Sequence, residues 1–102
     1  MATHIFDIDG TVFEYHTNEW IDGARDKILE LSRKGDTLIF ITMRGGQDKG
    51  KEWSIERTQE TLVAELKSLG VEFNIIFNVQ SPRTLHDDGV IYLDRRRTNE
   101  VW

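Results

Sequence analysis

Two aspartates near the start of the chain, Asp7 and Asp9, have the residue type and spacing of a catalytic carboxylate pair. They lie at the end of the apolar run HIFDI, and residues two apart on an extended backbone point to the same side. Two carboxylates held this close repel each other, which raises one pKa or recruits a cation. Magnesium suits a site made only of oxygens, and Gly10 lets the backbone turn directly after the pair. The pattern therefore predicts an acid/base and magnesium site.

Two other interpretations apply to the same residues. In the simpler one the aspartates only cap a turn, as Asp commonly does beside Gly. The other is a calcium loop of the EF-hand type, which needs its glycine at the sixth position. Gly10 is the fourth residue counted from Asp7, so the calcium loop is excluded.

The elements that must position these carboxylates follow from the hydrophobic pattern. Apolar and β-branched runs predict strands at residues 4–8, 37–42, 72–77 and 90–93. Apolar residues at spacings of three and four predict helices at residues 20–34 and 53–69, ended by Gly35 and Gly70. Strands that alternate with helices predict an α/β fold with a parallel sheet and right-handed crossovers. In such sheets the ligand site lies beyond the carboxyl ends of the strands, where Asp7 falls.

Composition narrows the class of protein. The length of 102 residues predicts a single domain over 1–102. The absence of cysteine excludes disulfides and thiolate chemistry. No apolar run reaches the length of a signal peptide or a membrane span, which predicts a cytoplasmic protein without a membrane partner. The net charge of −5 argues against general nucleic-acid binding.

The segment IFDIDGTV, with its Asp-x-Asp-Gly-Thr motif after an apolar strand, resembles the first signature of the haloacid dehalogenase superfamily of phosphohydrolases. The resemblance covers nearly the whole chain. It implies a Rossmann-like core, with a parallel sheet of about four strands in the order 3-2-1-4 and helices on both faces. It also implies a magnesium-dependent phosphomonoester hydrolase in which Asp7 forms an aspartyl-phosphate and Asp9 is the general acid and base.

Three more residues match later signatures of that family. Thr42, at the end of TLIFIT, matches the Thr or Ser that holds the phosphoryl group, and Arg44 matches a Thr-x-Arg variant of the same signature. Asp94, after VIYL, matches the acidic signature that binds Mg²⁺ together with Asp7 and Asp9.

The chain departs from the family pattern at two points. Arg95 follows Asp94 where small members often have a second aspartate. The third signature is normally a lysine, whereas this chain has Gln80-Ser81-Pro82-Arg83. Arg83, in the loop after the third predicted strand, is the first candidate for the missing positive charge and for contact with the substrate phosphate. Arg44 is the second candidate.

The spacing of the elements also bears on the substrate. About ten residues separate Gly10 from the first predicted helix, too few for a cap domain. An uncapped site suits a large phosphorylated substrate, or a site that a second copy of the chain closes. Three alternatives stay open: a polynucleotide 3′-phosphatase-like enzyme, a phosphotransferase or mutase, and a catalytically impaired phosphate-binding module.

Overall fold

The computed structural model of the chain describes residues 1–44, 55–94 and 102, and only the backbone of residues 55–59. Its elements are β1 (Thr3–Asp7), α1 (Ala24–Arg33), β2 (Thr37–Ile41), α2 (Ile55–Lys67) and β3 (Asn74–Ile76). The chain is therefore a small α/β protein, as predicted. The predicted first residues of the second helix, 53 and 54, and Arg95 lie outside the described residues.

The three strands form a parallel sheet in the order β1-β2-β3. Asp7, the last residue of β1, lies opposite Ile41 of β2, which in turn lies opposite Ile76 of β3. Because the strands run in the same direction, their carboxyl ends meet at one edge of the sheet. Asp7 lies at that edge.

Glycines set both ends of α1. The helix begins at Ala24 rather than at the predicted residue 20, because Gly23 has a left-handed backbone conformation with φ 84°. Gly35, with φ 83°, follows its carboxyl end as predicted. There Gly35 N donates to Ser32 O at 2.9 Å and Asp36 N donates to Leu31 O at 3.2 Å. These two bonds satisfy carbonyls at the end of the helix that have no partner within it.

Both helices cover the same face of the sheet. Phe6 of β1, Ile28 of α1 and Leu62 of α2 belong to one buried apolar cluster. Ile5 and Ile76, which lie next to the buried Phe6 and the partly buried Ile75 along their strands, are 51% and 52% exposed. The prediction of helices on both faces is therefore wrong for the described part of the chain. Two successive right-handed crossovers that advance in the same direction across a sheet place their helices on the same side.

The predicted fourth strand is also absent from the described residues. Residues 90–94 have no regular secondary structure, and Val90, Tyr92 and Leu93 are 80%, 90% and 89% exposed. Consequently the order 3-2-1-4 is not confirmed, and β1 lies at an edge of the described sheet. The run VIYL has strand propensity, but a strand forms only where its backbone meets a partner edge.

Within the part of the chain that the structure describes, no helix has the length and apolar character needed to cross a bilayer.

Candidate active site

In the turn after β1, several backbone N–H groups donate to a single carbonyl oxygen. Ile8 O accepts hydrogen bonds from the backbone N–H groups of Thr11, Val12 and Phe13, at 3.2, 2.9 and 3.0 Å. Gly10 makes this turn with φ 85°, a conformation that side chains with a Cβ atom rarely adopt. Thus the turn is held by its own backbone.

A Trp side chain from the other end of the chain supports this turn. The Trp102 indole N–H donates to Thr11 O at 3.1 Å. The same ring lies 5.9 Å from the ring of Phe6, between centroids. This contact was not predictable from the sequence, because it joins residues that are 91 positions apart.

Asp7 is held by one arginine and one hydroxyl group. Arg83 Nη1 donates to Asp7 Oδ1 at 2.8 Å, and Thr11 Oγ1 donates to Asp7 Oδ2 at 3.3 Å. About a third of the Asp7 side chain and 28% of the Arg83 side chain remain exposed. The first candidate for the missing lysine charge therefore lies in direct contact with the carboxylate it was predicted to balance.

Asp9 is held by the second arginine, in a bidentate ion pair. Arg44 Nε donates to Asp9 Oδ2 at 2.9 Å, and Arg44 Nη2 donates to Asp9 Oδ1 at 2.5 Å. The guanidinium also donates to Asn18 Oδ1 and to Thr17 O, each at 2.5 Å. Its side chain is only 10% exposed. Neither Thr17 nor Asn18 was predictable as a site residue, since loop residues of these types form no recognisable pattern.

Thr42 lies directly beyond the end of β2 and is fully buried. Its Oγ1 accepts the backbone N–H of Arg44 at 3.1 Å. Its backbone N–H donates to Ile76 O at 3.1 Å, and its carbonyl oxygen accepts Val79 N–H at 2.8 Å. These bonds join the loop after β3 to the loop after β2, and the former leads to Arg83. The positions predicted from the second and third signatures thus belong to one edge of the sheet.

The three predicted metal ligands are not brought together. Among the described residues, which include Asp7, Asp9 and Asp94, no group of three or more acidic or histidine side chains has an arrangement that could hold a metal ion. Asp94 lies in the exposed segment without regular structure. Magnesium is commonly bound by only one or two carboxylates, with water and substrate phosphate completing its shell. The Asp7 carboxylate fits that requirement in donor type, whereas both oxygens of the Asp9 carboxylate accept N–H groups of Arg44.

The arrangement places two guanidinium groups against two carboxylates at the carboxyl edge of a parallel sheet. An arginine whose ion pair remains partly open to solvent can exchange its carboxylate partner for an anionic ligand. Arginine is well suited to that exchange, because its planar group binds carboxylate and phosphate with the same geometry. The residue types thus suit phosphate binding beside Asp7, which stays a prediction.

Comparison with known proteins gives one short similarity. The chain is 46% identical over 41 residues to the sugar-phosphatase AraL of Bacillus subtilis (strain 168), a stretch that covers 40% of this chain and 14% of that protein. The chain thus matches a small part of the length of this curated relative. No protein-family model matches the chain, and no solved structure matches it. This match is too short to show the family of the chain, and the resemblance to the haloacid dehalogenase superfamily stays a prediction.

Proposed function

We propose that the chain hydrolyses phosphate monoesters through an aspartyl-phosphate on Asp7. The observation that carries the proposal is the contact of Arg83 with Asp7, at 2.8 Å, where β1 ends. A carboxylate attacks a phosphate dianion only where positive charge offsets their repulsion. The short similarity to a sugar-phosphatase supports the same class of reaction.

In the first step an Asp7 carboxylate oxygen attacks phosphorus in line. The bond between this oxygen and phosphorus forms as the bond between phosphorus and the ester oxygen breaks. The bonding electron pair leaves with the ester oxygen, which takes a proton from Asp9 and departs as an alcohol.

In the second step water attacks the phosphorus of the aspartyl-phosphate and gives a proton to Asp9. The bond between Asp7 and phosphorus breaks, and its electron pair returns to the carboxylate. Inorganic phosphate leaves, and both aspartates regain their starting protonation. In both steps Arg83 is the proposed contact of the phosphoryl oxygens. The predicted phosphate contact of Thr42 is not part of the proposal, because this residue is fully buried and its hydroxyl oxygen accepts Arg44 N–H.

Magnesium is part of the proposal as a cofactor that the Asp7 carboxylate and the backbone carbonyl of Asp9 would hold. Asp94, predicted as a third ligand, is not part of the proposed site, because it lies in the exposed segment without regular structure. When bound, a divalent cation offsets negative charge on the substrate and on the carboxylates.

The test is turnover of p-nitrophenyl phosphate by the purified chain, with added Mg²⁺ and with a chelator. We expect activity that depends on Mg²⁺, and a hydroxylamine-sensitive phosphate label on Asp7. Asp7→Asn should abolish both, because an amide does not act as the nucleophile. Asp22→Asn, which changes an exposed aspartate outside the site, is the matched control and should keep both.

Two results would contradict the proposal. Activity of Asp7→Asn close to that of the parent would exclude the covalent step. An inactive parent that still binds inorganic phosphate would favour the catalytically impaired binding module.

A further inference from the structure

Arg44 connects three separate parts of the candidate site. Its guanidinium contacts Asp9 in the turn after β1, and Thr17 and Asn18 in the loop that leads to α1. The backbone of Arg44 is held as well, since its N–H donates to Thr42 Oγ1 at 3.1 Å and its carbonyl accepts Asn78 N–H at 3.0 Å. The backbone and the side chain of Arg44 are therefore both held by hydrogen bonds.

We propose that Arg44 is a positioning residue for Asp9, which it orients for proton transfer to the leaving group, and that it does not bind the substrate phosphate. This inference rests on the function proposed above. It differs from the expectation for a Thr-x-Arg motif, in which the arginine would contact the phosphoryl oxygens.

The hydrogen bonds of the guanidinium support a positioning role. Nε donates to one Asp9 oxygen, Nη2 to the other Asp9 oxygen and to Thr17 O, and Nη1 to Asn18 Oδ1. These are four bonds, and a guanidinium has about five donors in all. The side chain is 10% exposed, against 28% for Arg83. Arg83 therefore has donors and access for a phosphate, whereas Arg44 has little of either.

The bidentate contact fixes the plane of the Asp9 carboxylate. Each oxygen of the carboxylate accepts one N–H of Arg44 and keeps a second lone pair, on which the reaction proton can reside. Proton transfer needs the donor within hydrogen-bond reach of the leaving oxygen. A displacement of about 1 Å lowers such a rate by roughly a hundredfold.

The loop that receives the other two bonds is itself braced. Thr17 Oγ1 donates to Glu14 O at 2.9 Å and accepts Glu19 N–H at 3.1 Å. Glu14 N also donates to Glu19 O at 2.9 Å. Because this loop is closed on itself, it offers the Arg44 guanidinium two braced acceptors in addition to Asp9.

The decisive measurement is the dependence of kcat/KM on the leaving group. An alkyl oxygen, as in glucose 6-phosphate, needs the Asp9 proton to depart, whereas p-nitrophenolate departs without it. We expect Arg44→Ala to lower kcat/KM for glucose 6-phosphate by roughly a hundredfold and for p-nitrophenyl phosphate by less than about tenfold. The inhibition constant of inorganic phosphate should stay within about twofold of the parent value.

Two further variants complete this series. Arg44→Lys keeps the charge but cannot make the bidentate contact, so it should recover part of the rate on glucose 6-phosphate. Arg33→Ala removes an exposed arginine outside the site and should leave kcat/KM for both substrates unchanged. Equal losses on the two substrates, with a weaker inhibition constant for inorganic phosphate, would show a phosphate contact and overturn the proposal.

A second readout does not depend on activity or on the Arg44 variants. The NMR signal of the Arg44 Nε–H group should be protected from exchange in the parent, lost in Asp9→Ala and unchanged by inorganic phosphate. A signal that moves on phosphate binding would contradict the inference. If the parent enzyme were inactive, the proposed function and the proton-transfer role of Asp9 would both be rejected. The Arg44 Nε–H signal would still decide whether Arg44 holds Asp9.

Discussion

At the scale of single residues, the site consists of two carboxylates with different arginine partners. Asp7 contacts Arg83, which is partly open to solvent, and Asp9 contacts Arg44, which is nearly buried. The difference in exposure suggests a difference in role. An exposed ion pair can open to admit an anion, whereas a buried bidentate pair keeps its geometry.

Arg83→Ala tests the charge opposite the nucleophile. Removing the guanidinium that donates to Asp7 at 2.8 Å leaves two anions facing each other in the transition state. We expect kcat/KM to fall roughly a hundredfold for p-nitrophenyl phosphate and for alkyl phosphates alike. The effect is uniform because charge balance at Asp7 does not depend on the leaving group.

Arg83→Lys is the informative companion variant, because it restores the residue type that the family signature normally has. We expect it to recover most of the lost rate in steady-state assays at saturating Mg²⁺. Unchanged activity in Arg83→Ala would show that a group other than Arg83 offsets the negative charge of Asp7 and the phosphate.

The residues of this site were predictable to different degrees from the sequence. Asp7, Asp9 and Thr42 follow apolar runs, and a strand followed by a loop places such residues at the edge of a parallel sheet. The sequence left two candidates, Arg83 and Arg44, for the arginine that contacts Asp7. The conformation of a loop decides between them, and the sequence does not reveal that conformation. The contacts of Arg44 with Thr17 and Asn18 were not predictable, since they depend on side-chain directions in a loop without a periodic pattern.

At the scale of the elements, the sequence range of the contacts that an element requires decided which predictions were correct. Gly35 ends α1 because a glycine with φ 83° accommodates the turn that closes the helix. The run VIYL gave a strand signal of similar strength, yet it pairs with no described strand. A helix stop depends on the backbone of a few neighbours, whereas a strand depends on a partner that is distant in sequence.

A hydrogen-bonded carboxyl group at the amino end of the sheet predicts a dependence of stability on pH. Asp36, between α1 and β2, accepts Ala2 N–H at 3.0 Å and contacts His4 Nε2 at 2.9 Å. The Ala2 backbone N–H foremost, and then His4, lower the pKa of Asp36 below its ordinary value. A carboxyl whose pKa is lower in the folded protein stabilises it above the unfolded pKa. That stabilisation is lost as the pH falls through the folded pKa.

Asp36→Asn should therefore lower the free energy of unfolding at neutral pH. The difference from the parent should shrink below about pH 4, where the unfolded carboxyl takes up its proton, and should disappear at more acidic pH. Urea unfolding followed by circular dichroism at a series of pH values measures this difference. Asp22→Asn, in an exposed position, should show no such trend, and a parallel loss in both variants would contradict the assignment.

At the scale of the whole molecule, the described chain leaves the carboxyl edge of the sheet open on the side of the first motif. The thirteen residues between Gly10 and Ala24 are all described and form a short loop. Val12, Phe13 and Ile21 from this loop are buried in the protein. A segment that packs against its own domain in this way does not extend over the site as a cap.

If the site has no cap, as predicted, kcat/KM should depend little on the size of the substrate. The test compares two substrates that differ in size but share a leaving group. Free phosphotyrosine and a phosphotyrosyl peptide meet this condition, because the tyrosine phenol is the leaving group in both. Since no cap must close around the ester, we expect the two kcat/KM values to agree within about tenfold. A peptide value lower by a hundredfold or more would show that something closes the site, and a second copy of the chain would be the first candidate. In that case the penalty should weaken as the enzyme is diluted and the copies separate, which steady-state assays over a range of enzyme concentrations would detect.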